Sequence, residues 1–219
     1  MSKRRLAPLP KIDTPPVPRN RRKNAGQLEA EKLFREFDII FLLGPAGTGK
    51  THAAVSLALS AEWVFITRPA IELEGEELGF LKGGPDEKLN PYMQPILDVL
   101  RTQVGRAEAD KVFKSFEICP LAFIRGRTFN NGVAIFDEAQ NATRSQRKTY
   151  LTRLGKEGKM IISGDPSQSD RHNGDAFIEE VNALVDAGIA GVVWFNQSMQ
   201  ERNPILKQVE DVYSKLLVS

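Results

Sequence analysis

The sequence predicts an α/β protein: one domain with a mainly parallel central sheet and helices on both faces. Two observations support this fold class. Apolar runs of strand length alternate with longer amphipathic segments along the 219 residues, which is the pattern of repeated βα units. In addition, a glycine-rich stretch at residues 44–51 lies between an apolar run and a segment rich in Ala and Leu. A strand, a glycine loop and a helix in this order form one such unit.

The glycine-rich stretch fits the pattern G-x-x-x-x-G-K-[ST] at every fixed position. Glycines let the backbone approach an anion closely, and the amide groups of the loop and of the helix start then point at phosphates. Lys50 adds a charge near the β- and γ-phosphates, and the Thr51 hydroxyl can bind Mg²⁺. The stretch therefore predicts a site for ATP and Mg²⁺, the alternative being a glycine-rich turn without a ligand. Its residues are Gly44, Pro45, Ala46, Gly47, Thr48, Gly49, Lys50 and Thr51.

Apolar periodicity predicts the elements of the first half of the chain. Leu28, Leu33 and Phe34 recur at helical spacing ahead of the first strand. Pro91 suits the first turn of a later helix, which Pro95 should disturb. The expected order is helix 25–37, strand 38–43, helix 50–59, strand 62–67, an acidic glycine-rich loop 72–88, helix 90–104 and helix 107–116.

The second half of the chain continues the alternation of strands and helices. Thr143 can cap a helix, and Gln146 three residues later completes a capping box. Gly155 and Gly158 end that helix. The expected order is strand 118–124, strand 133–136, helix 143–154, strand 159–163, helix 175–187, strand 192–195 and helix 204–217.

The composition excludes several classes of protein. The single cysteine, Cys119, cannot form an intrachain disulfide, and two histidines, His52 and His172, are too few to make a zinc site expected. No run of about 18 apolar residues occurs, so the sequence predicts no membrane span. These features fit a cytoplasmic protein whose cysteine stays reduced.

Residues 1–24 differ in composition from the rest of the chain. They contain eight basic residues and one acidic residue, a net charge of +7, so the overall charge of +2 leaves −5 for the remainder. Prolines and like charges oppose a packed core, and we therefore expect a flexible basic arm (residues 1–24) before the folded domain (residues 25–219). The arm could bind nucleic acid phosphates, or it could be a solubilising tail or a tether to a partner.

Two adjacent acids, Asp137 and Glu138, directly follow the apolar run 133–136. In phosphate-loop ATPases, an Asp at this position holds Mg²⁺ through its water shell, and a Glu beside it can polarise the attacking water as a general base. Two adjacent carboxylates are costly unless a cation lies nearby. The pair therefore predicts ATP hydrolysis, the alternative being a charged turn after a strand.

Other candidate side chains lie near the ends of expected strands. Arg68 follows the second strand, at the rim where open α/β sheets bind ligands. Arg125 and Arg127 flank a glycine and suit phosphate contact, unless they belong to a solvated turn. Gln168 lies on a strand-end loop, where its amide could sense the γ-phosphate. The Gln27 amide could pair with the adenine edge, or it could be a surface side chain.

Six motifs follow one another along the chain: Gly44-Pro-Ala-Gly-Thr-Gly-Lys-Thr, Thr67-Arg-Pro, Leu78-Gly-Phe-Leu, Arg125-Gly-Arg-Thr, Asp137-Glu-Ala-Gln-Asn and Gly164-Asp-Pro-Ser-Gln. Their order and spacing over roughly residues 25–215 resemble the PhoH family. That resemblance implies a single RecA-like P-loop NTPase domain of the additional-strand group, similar to the first motor domain of superfamily-one helicases. It also implies hexameric rings with ATP at subunit boundaries, and action on RNA in some members. The short chain suits a phage-encoded or stand-alone form.

The resemblance also implies roles for single residues. Gln27 resembles the helicase glutamine that reads adenine, and Asp137 with Glu138 resembles the Walker B pair. Gln168 resembles the phosphate sensor of the Gly-Asp-x-x-Gln motif. Arg202 resembles an arginine that reaches the ATP of a neighbouring subunit.

These observations lead to one hypothesis and two alternatives. The hypothesis is Mg²⁺-dependent ATP hydrolysis coupled to work on RNA or single-stranded nucleic acid by a homo-oligomeric ring. One alternative is a module that binds ATP in order to assemble and has no motor activity. The other is a small-molecule P-loop kinase, which Glu138 argues against because a glutamate there suits water as the nucleophile. The candidates for charge stabilisation across a subunit boundary are Arg68, Arg125, Arg127 and Arg202.

Overall fold

The computed structural model describes residues 23–69, 85–169 and 174–199 together with Val212. Most of the predicted arm, most of the predicted loop 72–88, Arg202 and the closing helix except Val212 therefore lie outside the described residues. Among the described helices, none is both long and apolar enough to cross a membrane.

The described residues alternate between helices and strands as the sequence predicts. The helices are α1 (Ala25–Glu36), α2 (Lys50–Ala58), α3 (Pro85–Val104), α4 (Arg106–Ser115), α5 (Arg144–Leu151) and α6 (Gly174–Asp186). The strands are β1 (Ile39–Leu43), β2 (Val64–Thr67), β3 (Glu117–Ile118), β4 (Val133–Phe136), β5 (Lys159–Gly164) and β6 (Ala190–Trp194).

The six strands form one sheet in the order β3-β2-β4-β5-β1-β6, and every described pairing is parallel. Strand β5 lies between β1 and β4, so one strand separates the loop after β1 from the acids after β4. All carboxyl ends meet at one edge of the sheet, which is where such sheets bind ligands. The predicted parallel α/β fold is confirmed.

Side chains of the central strands alternate between two cores, one on each face of the sheet. On β1, Ile40 and Leu42 point to a core shared with α1, α2, α3 and α4. Ile39, Phe41 and Leu43 point to a second core shared with α5 and α6. Because both faces are covered, the strands are apolar at nearly every position, and the prediction of helices on both faces is correct.

The predicted strand 118–124 is wrong beyond its start. The amide of Cys119 still pairs with the carbonyl of Ile66 at 2.8 Å, but Pro120 has no N–H to continue the ladder. The chain turns instead into a short 3-10 helix (Leu121–Phe123), which leaves the Phe123 side chain 73% exposed.

Helix α3 begins at Pro85 rather than at residue 90, so the end of the predicted loop 72–88 is helical. Pro95 lies inside this helix without ending it. The buried side chains of Met93, Ile96 and Leu100 anchor the helix against the core, and packing of this kind overrides local propensity. Helix α5 ends at Leu151, three residues earlier than expected, and its Thr143–Gln146 capping box is confirmed.

Candidate nucleotide-binding site

A cleft of about 390 Å³ opens at the carboxyl ends of β1, β4 and β5. A groove of about 490 Å³ also runs between α5 and α6, but it contains none of the predicted site residues. The cleft combines loop, strand-end and α3 residues. Its described lining consists of Ala46, Gly47, Gly49, Lys50, Thr51, His52, Arg68, Pro95, Val99, Asp137, Glu138 and Gly164.

The loop between β1 and α2 requires glycine at fixed positions. Gly44 and Gly49 have φ angles of 136° and 94°, which residues with a side chain rarely adopt. A Cβ on Gly44 would lie 2.1 Å from the carbonyl oxygen of Phe195, and a Cβ on Gly49 would lie 2.8 Å from Nε2 of Gln27. Gly44 is thus required by its φ angle and by the nearby Phe195 backbone, and Gly49 chiefly by its φ angle.

Lys50 begins α2, and its side chain lies over the loop. Its Nζ donates hydrogen bonds to the carbonyl oxygens of Gly44 at 2.5 Å and Pro45 at 2.7 Å. The buried Thr48 hydroxyl donates to the same Pro45 oxygen at 2.8 Å. These bonds hold the ammonium group at the wall of the cleft, where it would attract phosphate oxygens.

Asp137 follows β4 and is 3% exposed. Its Oδ1 accepts a hydrogen bond of 2.6 Å from the Ser163 hydroxyl on β5 and lies 3.4 Å from the Thr51 hydroxyl. Thr51 and Asp137, the two residues expected to bind Mg²⁺, therefore lie side by side although 86 positions separate them in the sequence.

The Asp137 carboxylate lies where a divalent cation would offset its charge. Burial, followed by the charge of Glu138, raises the pKa of Asp137, while Arg68, the hydrogen bond from Ser163 and Lys50 act to lower it. In the described part of the chain, no three His, Cys, Asp or Glu side chains cluster as a complete metal site. Mg²⁺ at nucleotide sites takes one or two carboxylates and adds water and phosphate oxygens. A hydroxyl and a carboxylate beside a phosphate loop therefore fit this ion.

Glu138 has a left-handed backbone with a φ of 55°, and both of its carboxylate oxygens have partners. Nη2 of Arg68 lies 3.4 Å from Oε1, and Nε2 of Gln140 donates to Oε2 at 2.7 Å. The Oε1 atom of Gln140 in turn accepts the backbone N–H of Asp165 at 3.0 Å. Because the side chain of Glu138 is still 32% exposed, a water molecule in the cleft can reach it.

The start of α1 packs against the phosphate loop. Asn24 caps the helix, and with Gln27 it forms a reciprocal capping box. The Asn24 amide also donates to the carbonyl of Thr48 at 3.0 Å. Gln27 is buried, and its Nε2 lies 3.4 Å from Nδ1 of His52. Reading adenine would require the Gln27 amide to exchange these partners, and that role stays a prediction.

Among the predicted residues that belong neither to the phosphate loop nor to α1, three lie outside the described lining of the cleft. Gln168 is exposed on the 3-10 turn after β5. Arg125 is exposed on the loop after β3, and Arg127 on the same loop forms an ion pair with Glu117. Sensing by Gln168 and phosphate contact by the two arginines stay predictions, and Arg202 lies outside the described residues.

Three residues of this network are absent from the sequence-based prediction. Asn24 had a signal, because Asn-x-x-Gln before an amphipathic segment is a capping-box pattern. Gln140 lies within the quoted Asp137-Glu-Ala-Gln-Asn motif, but the motif alone does not reveal its two partners. Ser163 had no signal, because its contact depends on β5 lying beside β4 in the sheet.

A parallel sheet with the phosphate loop after β1 and an acid pair after β4, separated by one strand, defines a P-loop NTPase of the RecA-like kind. The chain belongs to the PhoH family: residues 20–214 match the family described as "PhoH-like protein". The resemblance inferred from the six motifs is thereby confirmed.

Relatives of the same family cover most of this chain. It is 40% identical over 203 residues to the "PhoH-like protein" of Bacillus subtilis (strain 168). The match covers 88% of this chain and 63% of that protein. It is 35% identical over 208 residues to "Protein PhoH" of Escherichia coli (strain K12), covering 88% and 57% of the two chains. This chain therefore spans about three fifths of the length of these relatives.

Among solved structures, the large terminase of a thermophilic bacteriophage is similar in fold. The TM-score is 0.53 over 85% of this chain and 49% of the terminase chain, at 14% sequence identity. At this level of identity the likeness concerns the fold alone.

Proposed function

We propose that this protein hydrolyses ATP in a Mg²⁺-dependent reaction and couples hydrolysis to work on RNA or single-stranded nucleic acid. The observation that carries the proposal is the 3.4 Å contact between Thr51 and Asp137 within one cleft. It joins the phosphate loop to the acid pair, and Glu138, which adjoins Asp137, lines the same cleft. The PhoH family and the RecA-like fold support the same class of reaction.

The proposed roles follow from the positions of the side chains. The loop amides and Lys50 would bind the β- and γ-phosphates, and Thr51 with Asp137 would hold Mg²⁺. When bound, this ion would neutralise phosphate charge. Glu138 would accept a proton from the attacking water, and Arg68 would orient the Glu138 carboxylate. Gln168 keeps its proposed role as a sensor of the γ-phosphate.

The proposal also includes that the protein acts on nucleic acid as a ring of identical subunits. In a ring, a neighbouring subunit would bring a second surface to the cleft and would supply an arginine to the γ-phosphate. The net charge of +7 in residues 1–24 suits contact with nucleic acid phosphates. The proposed site of action is the cytoplasm.

Phosphate release tests the proposal. The full chain, with its assembly mass measured, is assayed with ATP and Mg²⁺, with EDTA, and with added single-stranded RNA or DNA. We expect release that EDTA abolishes and that nucleic acid stimulates. ATP-dependent assembly without phosphate release would instead support the assembly module. ADP formed only together with a phosphorylated metabolite would support a kinase.

Glu138→Gln should lower kcat by about 10²–10⁴-fold, the usual contribution of a general base, and should leave Mg·ATP binding intact. A matched control is Glu157→Gln, because Glu157 has the same φ of 55° but is exposed in the turn before β5. Single-turnover hydrolysis measures the chemical step, and fluorescent-nucleotide titration measures nucleotide binding. Full turnover by the Glu138 variant would contradict the assigned role.

A further inference from the structure

Gln140 connects two parts of the site that belong to separate sequence motifs, the acid pair after β4 and the turn after β5. Its side chain is 1% exposed. Its Nε2 donates to Oε2 of Glu138 at 2.7 Å, and its Oε1 accepts the N–H of Asp165 at 3.0 Å. Both ends of one buried amide are thus used, one on the proposed base and one on the turn after β5.

The surroundings of Gln140 leave this amide little freedom. A Cβ on Gly164 would lie only 2.7 Å from its Oε1 atom, so the residue before Asp165 must be small for the contact to form. The Ser169 hydroxyl donates to the backbone carbonyl of Gln140 at 3.3 Å. The turn that carries Gln168 is therefore tied to Gln140 at both of its ends.

We propose that Gln140 is a positioning residue: it fixes the carboxylate of Glu138 relative to the turn at residues 165–169. Glu138 itself is on a strained, left-handed backbone and is partly exposed, so its side chain needs an external restraint to keep one orientation. Arg68 restrains one oxygen by charge at 3.4 Å. Gln140 restrains the other with a shorter and more directional bond.

The same amide couples the base to the predicted phosphate sensor. A shift of the turn that moved the Asp165 N–H would move the Gln140 amide and, with it, the Glu138 carboxylate. The general base and the sensor loop would thereby adjust together when the γ-phosphate is present. This inference rests on the proposed ATP hydrolysis.

Two substitutions separate the two bonds of Gln140. Gln140→Met keeps the length of the side chain and removes both bonds. As a carboxylate, the Gln140→Glu side chain keeps an acceptor for the Asp165 N–H but cannot donate to Glu138, whose charge it also repels. Gln103→Met is the matched control, because Gln103 is 2% exposed and donates to the His52 carbonyl at 2.9 Å without touching the acid pair.

Kinetics on the full chain test the proposal. We expect kcat to fall by about 10- to 100-fold in both Gln140 variants, as for other residues that orient a reacting group. The KM for ATP and the affinity for a fluorescent nucleotide should stay within about threefold of the wild-type values, since ground-state binding is untouched. The control should keep its kcat, and melting temperatures show which variants are folded.

The outcomes distinguish this inference from the function on which it rests. A wild-type chain without phosphate release would overturn both. An active wild type with kcat unchanged in a folded Gln140→Met, or with kcat and nucleotide affinity falling together, would overturn the inference alone. If Gln140→Met does not fold, Gln140→Glu decides: retained kcat would show that the bond to Glu138 does not matter.

Discussion

At the scale of one residue, Asp137 shows how a buried carboxylate that is placed to bind a cation lowers the stability of the fold. Its carboxylate is buried beside a second acid, and its pKa is raised chiefly by burial and then by the charge of Glu138. An acid whose pKa is higher in the folded state costs nothing below its ordinary pKa. The cost grows as the pH rises above that value and is complete above the raised pKa. The protein therefore carries more of this cost as the pH rises from the ordinary pKa of aspartate towards neutrality.

Asp137→Asn should stabilise the protein at neutral pH in the absence of nucleotide, because an amide keeps a partner for Ser163 without a buried charge. Each kcal/mol recovered raises the melting temperature of a chain of this size by about 2–4 °C. The gain should shrink as the pH falls towards the ordinary pKa of aspartate, and stabilisation by Mg²⁺ with nucleotide should be lost. Melting curves across this pH range measure both effects.

Asp110→Asn is the control for this prediction, because Asp110 is 57% exposed and forms only a surface pair with Arg101. Its melting temperature should change little at any pH. A lower melting temperature for the folded Asp137→Asn variant at neutral pH would show that the buried charge does not weaken the fold.

At the scale of elements, the sequence predicts best where local chemistry and the sheet agree. The β1-loop-α2 unit and the capping box at Thr143 follow local rules and are found as expected. The end of β3 was missed because a short apolar run does not distinguish a strand from a turn, and Pro120 decided the outcome. The start of α3 lies in the acidic stretch that the sequence predicts as a loop, and Pro95 does not end the helix because later residues of α3 pack in the core.

In the candidate site, too, local motifs predict some residues and the pairing of strands determines others. The predicted positions of Lys50, Thr51, Asp137 and Glu138 come from motifs with fixed spacing, and the structure brings these residues into one cleft. The Gln140 contacts depend on how β4 and β5 pair, which no local pattern encodes. A sequence therefore identifies the residues that carry out a reaction more readily than it identifies the residues that orient those side chains.

The N-terminal cap of helix α1 also contacts the phosphate loop. Asn24→Ala removes the cap of α1, at a cost of about 1 kcal/mol, and also the bond from Asn24 to the Thr48 carbonyl in the phosphate loop. We expect nucleotide affinity to fall between about twofold and tenfold, as the loss of one hydrogen bond allows. Thermal melting and fluorescent-nucleotide titration measure the two effects separately.

Thr143→Ala provides the comparison, because Thr143 heads an equivalent capping box on α5 and is not part of the described cleft lining. Both variants should lose similar stability, but only the Asn24 variant should bind nucleotide more weakly. Equal affinities in the two variants would mean that the contact between α1 and the loop does not order the phosphate site.

At the scale of the whole molecule, the proposed ring places the reaction between subunits. The described part of one chain supplies the phosphate loop, the acid pair and Arg68 to its own cleft. Arg125 is exposed on the loop after β3 and lies outside the described cleft lining. Arg68 contacts Glu138 in the chain's own cleft, and Arg127 pairs with Glu117. We therefore take Arg125 as the candidate for reaching a neighbouring subunit.

Mixing two inactive variants tests this arrangement. Arg125→Ala lacks the arginine, Glu138→Gln lacks the base, and each should hydrolyse ATP slowly as a pure ring. In a mixed head-to-tail ring, roughly a quarter of the boundaries pair an intact base with an intact neighbouring arginine, so mixing should restore phosphate release to a similar fraction. Arg106→Ala, which removes an exposed arginine at the start of α4, should stay fully active alone. A mixture no more active than the average of its components would assign Arg125 no role across the boundary, because only a shared site can be completed by a neighbour.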